Sequence, residues 1–181
     1  MKYFQQMILL ITVTIIVSSG QAHAASAVEL NAKADASLKT FYSKVEAAKE
    51  LSKKSAGLLI FPAVYKAGFG VGAEYGEGVL RIKGKTVDYY STVAASIGFQ
   101  LGAQKKTVVL LFMTQTALKD FRKSGGWEVG VDGSVALVEF GAGKEFDTTN
   151  IKEPIIGFIF GNKGLMYNLS LEGSKMTKIK K

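Results

Sequence analysis

The chain has 181 residues, no cysteine, one histidine, and 23 lysines and arginines against 15 aspartates and glutamates, for a formal net charge of +8. Without cysteine it has no disulfide, no thiol redox chemistry and no thiolate metal ligand, and its single histidine, His23, lies in a segment that reads as removable. Ser-His-Asp and Cys-His nucleophilic sites are thereby excluded as well, leaving carboxylate, lysine, tyrosine or hydroxyl chemistry, or an all-oxygen metal site.

Residues 1–24 have the form of a secretory signal peptide: Lys2 in a short n-region, an apolar h-region from Met7 to Val17, and Ala22-His23-Ala24 as the cleavage site. The apolar run is shorter than the roughly 20 residues of a spanning helix, and no second such run occurs later in the chain. The expectation is a leader over 1–24 and a single soluble domain over 25–181, periplasmic or secreted. With no cysteine to acylate, it is not a cysteine-anchored lipoprotein. Loss of Lys2 lowers the net charge by one, and a basic exported protein points to an anionic surface or simply to solubility. Nucleic acid is disfavoured, because Arg81 and Arg122 are the only arginines.

From Ala25 to Ala56 there is no glycine or proline. Leu30, Ala34, Leu38, Phe41, Val45 and Ala48 keep helical 3,4 spacing, and Asp35/Lys39 and Glu50/Lys54 are i,i+4 pairs, which predicts one long helix stopped near Gly57. Strands are expected at Leu58–Phe61, Ala67–Glu74, Val79–Lys83 and Thr86–Tyr90, with turns at Tyr75-Gly76-Glu77-Gly78 and Gly84. Gly68, Gly70, Gly72, Gly76 and Gly78 share one strand parity, so one face there is nearly bare backbone, the mark of close approach by another backbone or of a tightly coiled sheet.

Further on, Ser96–Ala103 repeats the alternation of apolar residues with glycine, and Val108–Met113 is apolar throughout, as for a strand buried on both faces. Thr114 is placed to cap a short helix through Lys123, ended by Gly125-Gly126. Two hairpins are expected after it: Trp127–Val131 with Val135–Phe140 through Asp132-Gly133, and Ile155–Phe160 with Leu165–Leu171 through residues 161–164. Lys175–Lys181 reads as a basic tail. The fold class is α+β: a twisted, mostly antiparallel sheet, able to close like a barrel, packed with a long N-terminal helix and a short internal one.

No constellation of catalytic type stands out. Gly68-Phe69-Gly70-Val71-Gly72-Ala73 fits a loose dinucleotide fingerprint, but a turn and a strand come next where a helix is required. Glu74, Glu77 and Asp88 are close in sequence and could serve a hydrolase only by converging in a pocket. Trp127, Tyr89, Tyr90 and Tyr167 read as packing aromatics, and Lys105, Lys106, Lys178, Lys180 and Lys181 as solvated charge or contacts to anionic lipid. No cofactor and no metal is expected. On the N-terminal helix, Lys33 and Lys44 flank one edge of the apolar stripe and Lys49 the other, so the stripe either docks in the core or lies on a membrane with the lysines at phosphates.

The run from Gly57 to Arg81, Thr92–Ser96, Ser124-Gly125-Gly126-Trp127-Glu128, Phe158–Leu165 and Gly173-Ser174-Lys175, in that order, resembles the SYLF domain. The resemblance implies a non-enzymatic domain. Eukaryotic members are associated with phosphoinositides and actin filaments, the lipid activity being linked to an amphipathic N-terminal helix and basic residues, and bacterial members are typically exported single domains. The resulting expectation is binding of anionic phospholipid at a membrane surface, with Lys33, Lys44 and Lys49 at head groups and Leu38 and Phe41 as apolar contributors. The alternative is a protein-interaction module of the cell envelope, or an actin-binding protein acting on a host cell.

Overall fold

The computed structural model describes residues 25–139, 153–164, 171 and 173–181. The expected leader, the Gly141–Lys152 segment and Tyr167 lie outside the described residues.

The helical lead is two helices, α1 (Ala27–Lys44) and α2 (Ala48–Lys54), broken at Val45, whose backbone is extended. Ser26 caps α1 by accepting the Glu29 N–H at 3.2 Å. Leu30, Ala34, Phe41, Val45, Ala48 and Leu51 are buried against Ile60, Val79, Val109, Leu111, Ile156, Phe158 and Phe160. The apolar stripe is therefore core. Of the two anticipated ion pairs, Glu50–Lys54 forms at 2.6 Å, whereas Asp35 pairs with Arg81 across to the sheet.

A single hairpin dominates the sheet, β1 (Gly57–Ile82) with β2 (Lys85–Phe112), paired antiparallel from Gly57↔Phe112 to Ile82↔Lys85. Lys83 and Gly84, both at positive φ (50° and 77°), make its two-residue turn. The expected turn at Tyr75–Gly78 is absent; those residues lie mid-strand. Their glycines serve another purpose. A Cβ on Gly78 would stand 2.5 Å from the Ile60 carbonyl oxygen and 2.6 Å from Phe61 Cδ1, and one on Gly76 would stand 2.9 Å from the Ala63 oxygen. A straight strand would separate Ile60 from Gly78 by about 60 Å. The strand is therefore bent back onto its own first part, with register shifts between Phe61 and Val64 and between Phe69 and Val71, and Gly68 against Gly72 at the bend.

Near its base the hairpin is buried on both faces: Leu59, Phe61, Leu110 and Phe112 enter one core with Tyr90, Phe121 and Trp127, while Ile60, Val109 and Leu111 enter the helix-covered core. The other edge of β2 is shared by β5 (Ile155–Gly164) along Gln104–Phe112 and β6 (Lys175–Ile179) along Tyr89–Val93. The α3 helix (Gln115–Lys123) starts at Thr114, whose hydroxyl accepts the Ala117 N–H at 3.1 Å, as its sequence implied.

The first later hairpin does not form as expected, and residues 161–164 of the second are strand and not turn, its partner Leu165–Leu171 lying outside the described residues except for Leu171. β3 (Trp127–Glu128) pairs with β6, the Asp132 carboxylate accepts the Glu128 N–H and closes that loop on itself, and β4 (Ala136–Glu139) runs parallel to β5. β5 continues through Gly161, at φ 69°, opposite a register shift, so that glycine marks a bulge and not a turn. The supposed tail is strand β6, with Met176 in the core. Among the described residues the result is an α+β fold with three helices and a curled, mixed sheet in the order β3-β6-β2-β5-β4, β1 pairing with β2.

Candidate functional site

Where the hairpin bends, its polarity is inverted. Lys66, Gln104, Lys106 and Glu74 are 6%, 3%, 1% and 8% exposed, whereas Tyr65, Val71, Tyr75 and Val93 are 55%, 65%, 50% and 44% exposed. Tyr65, Lys66, Val71, Glu74 and Tyr75 of β1 with Val93, Gln104 and Lys106 of β2 thus define an arch with charge inside and apolar side chains outside. Glu74 holds the inside together, one carboxylate oxygen 2.8 Å from Lys106 Nζ and the other 3.4 Å from Lys66 Nζ. Lys66 and Glu74 would be about 26 Å apart on a straight strand. The ion cluster therefore clips the two limbs of the bend. Lys106 is accordingly not the solvated charge its sequence suggested, while its neighbour Lys105 is exposed, 5.6 Å over the Tyr65 ring.

A second ionic group lies at α3. The buried Asp88 accepts from Arg122 Nε and Nη2, each at 3.1 Å, and pairs with Lys178 of β6. Lys119, Arg122, Lys123 and Lys178 line a cleft of about 500 Å³ beside it. Tyr90 is fully enclosed, its hydroxyl without a hydrogen-bond partner among the described residues. Burial, with the Asp88 charge adding to it, pushes the phenol up to about 12. The unfolded chain ionises this group near pH 10, so as pH rises the unfolded state loses its proton first and stability declines from about pH 10 to about 12. Tyr90→Phe is expected to abolish that decline and, near pH 7, to be neutral or stabilising by up to about 1 kcal/mol. Urea melts at pH 7 and pH 11 check both points; a clear loss of stability at pH 7 would show that the hydroxyl is satisfied.

Glu74, Glu77 and Asp88 do not converge. Glu74 engages Lys66 and Lys106, Glu77 engages Lys181 and the Tyr75 hydroxyl, and Asp88 engages Arg122 and Lys178. Among the described residues no group of three acidic or imidazole ligands could hold a metal. Gly68–Ala73 is continuous strand, with no helix after it.

Residues 93–181 match the family model Ysc84, described as "Las17-binding protein actin regulator". Over that stretch, 89 of its 181 residues, the chain is similar to the SYLF-domain family. A curated relative, "SH3 domain-containing YSC84-like protein 1" of Xenopus laevis, is 28% identical over 132 residues, covering 70% of this chain and 39% of that protein. The chain thus spans about two fifths of that relative's length. The family match begins within β2, so α1, α2 and the glycine-bearing β1 lie ahead of it, whereas α3 lies inside it.

Of the side chains that the sequence nominated for lipid contact, Phe41 is fully enclosed, its ring centroid 4.8 Å from that of Phe158. It cannot serve as an outward contact without undocking α1. Lys33 is exposed and paired with Glu29 at 2.6 Å; that hydrogen bond holds its ammonium above the usual lysine range, and the nearby Tyr65 adds to the effect. Lys44 is exposed in the last turn of α1, and Leu38 and Lys49 line a cleft between the helices and the hairpin turn. The five are not one site. The apolar outer face of the arch was missed, although Tyr65, Val71, Ala73 and Tyr75 share one parity opposite Lys66 and Glu74.

Proposed function

We propose that this SYLF-like domain binds anionic phospholipid at a membrane surface, without chemical turnover, through the outer face of the arch and Lys105 beside it. The observation that carries the reading is the polarity inversion: charges enclosed and tyrosine, valine and alanine outward is the arrangement that a strand adopts toward an apolar medium. Tyr65 and Tyr75, at the two ends of that face, suit the head-group boundary, where amphipathic rings settle. Lys105 lies over the Tyr65 ring, and each lysine near an anionic surface adds about 1 kcal/mol. Among the described residues β1 pairs only with β2, so its other edge has no strand partner among them. Such an edge does not enter hydrocarbon, and contact is therefore shallow. Phosphatidylglycerol or cardiolipin would be the lipids met by an exported protein, and export through the leader is part of the same proposal.

Flotation with vesicles of equal parts phosphatidylglycerol and phosphatidylcholine tests this. Binding at low salt that falls steeply with added salt, weakened about tenfold or more by Val71→Glu with Val93→Glu, is expected. Both positions are exposed, so the fold should persist, as circular dichroism would report. No flotation at low salt sinks the proposal. If instead the double variant floats normally but turns a dimer into a monomer, the face belongs to a second copy. The family description favours a second reading, an actin-associated protein contact, which co-sedimentation with actin filaments tests directly.

A further inference from the structure

The cleft that receives Leu38 and Lys49 has a chemistry of its own. It measures about 900 Å³, at the upper end of the roughly 300–1,000 Å³ typical of small-molecule sites. Leu38 and Tyr42 of α1 and Leu58 of β1 supply apolar wall, and Lys39, Lys49, Lys53 and Lys83 also line it. Lysine stems extend apolar surface while their ammonium groups stay at its rim. Asp35 is the one carboxylate in the lining, and Arg81 already neutralises it at 2.5 Å. None of the four lysines has a carboxylate at ion-pair distance among the described residues. Two wall residues also retain hydrogen-bonding capacity, since Ser52 Oγ and Arg81 Nε are buried without a partner among the described residues.

The break between α1 and α2 is what makes this space. One continuous helix would run straight past the hairpin turn, whereas the extended Val45 lets α2 return toward Gly57, and the Lys83-Gly84 turn closes the far side. Gly57 itself packs against the Arg81 carbonyl, a Cβ there standing 3.2 Å from it, so base and turn of the bent hairpin meet at the cleft floor.

We infer that the cleft binds one anionic, single-chain amphiphile, its tail along Leu38, Tyr42 and Leu58 and its carboxylate or phosphate among Lys39, Lys49, Lys53 and Lys83. Four cations without an ion-pair partner among the described residues line an apolar hollow, and a ligand that brings both a tail and an anion answers both features. An uncharged tail answers only one of them, and free phosphate only the other. This inference does not rest on the membrane reading: it concerns a soluble ligand in a cleft, not a bilayer on the arch.

The test is titration calorimetry of the purified protein, below micelle-forming concentrations, with oleate, lysophosphatidic acid, monoolein and inorganic phosphate. One-to-one binding of oleate or lysophosphatidic acid is expected, with monoolein and phosphate at least about tenfold weaker. The relative strength of oleate and lysophosphatidic acid assigns the head group. Lys49→Glu with Lys53→Glu should weaken the anionic ligand at least about tenfold, and Val71→Glu with Val93→Glu should leave it unchanged. Both lysines are exposed on α2, and an unshifted thermal midpoint would show that the variant is folded. Monoolein binding as well as oleate, or an anionic ligand indifferent to both lysines, overturns the inference, as does no binding of any amphiphile. Vesicle flotation that survives such a failure leaves the arch reading standing, and the converse outcome separates them equally well.

Discussion

Replacing Glu74 with glutamine is expected to lower the unfolding free energy by about 3–5 kcal/mol, the range for removing one partner of a buried ion pair. The size reflects its surroundings. Lys66, Lys106 and Glu74 are all more than nine-tenths enclosed, and the one carboxylate lies within 3.4 Å of one ammonium and 2.8 Å of the other. Glutamine keeps the shape and a hydrogen-bonding oxygen but removes the charge shared by two buried cations. Replacing all three residues with apolar ones of similar volume should, by contrast, be close to neutral, because both the desolvation penalty and the attraction disappear. Urea melts of the single and triple variants decide the matter: a single variant within about 1 kcal/mol of wild type would mean that water reaches the cluster and screens it.

Gly78→Val is expected to cost about 3 kcal/mol or more, or to prevent folding, by a different mechanism. Its first added carbon would meet the Ile60 carbonyl at 2.5 Å, and that carbonyl belongs to backbone inside both cores. Val109, register partner of Ile60, is buried too, so relief requires moving a paired segment. Gly125→Ala is the matched control, with nothing within 4 Å of an added Cβ, and should stay within about 0.5 kcal/mol. Denaturation midpoints of the two variants compare them directly. Similar midpoints would mean that the strand is not folded back on itself in solution.

How much of the fold was legible depended on whether the deciding contact was local. The α3 helix was, because Thr114, the apolar spacing and the Gly125-Gly126 stop all act within a few residues. The two-sided burial of Val108–Phe112 was too, because an unbroken apolar run cannot turn one face to water. The Tyr75–Gly78 segment was read as a turn because glycine serves turns and close approaches alike, and the carbonyl that decides between them belongs to Ile60, 18 residues away.

At the candidate site, residue type misled where parity would have helped. Lys66 and Glu74 carry side chains for which solvent is the usual answer, although they share parity with Gly68, Gly70, Gly72, Gly76 and Gly78. On that face Lys66 and Glu74 flank Gly68, Gly70 and Gly72, and here the two charges pair across the bend. The break at Val45, which opens the cleft, left no such trace, since the apolar spacing continues through it from Phe41 to Ala48.

The placement of β6 bears on when the molecule can take shape. Its five residues, 175–179, are made long after Tyr89–Val93, yet they pair with that stretch and carry β3 on their other side. Until they arrive, the first half of β2 has an open edge and Asp88 lacks Lys178. Completion of the native structure must therefore wait until residue 179 has left the ribosome. Until then a nascent chain would keep that edge open to pairing with other strands.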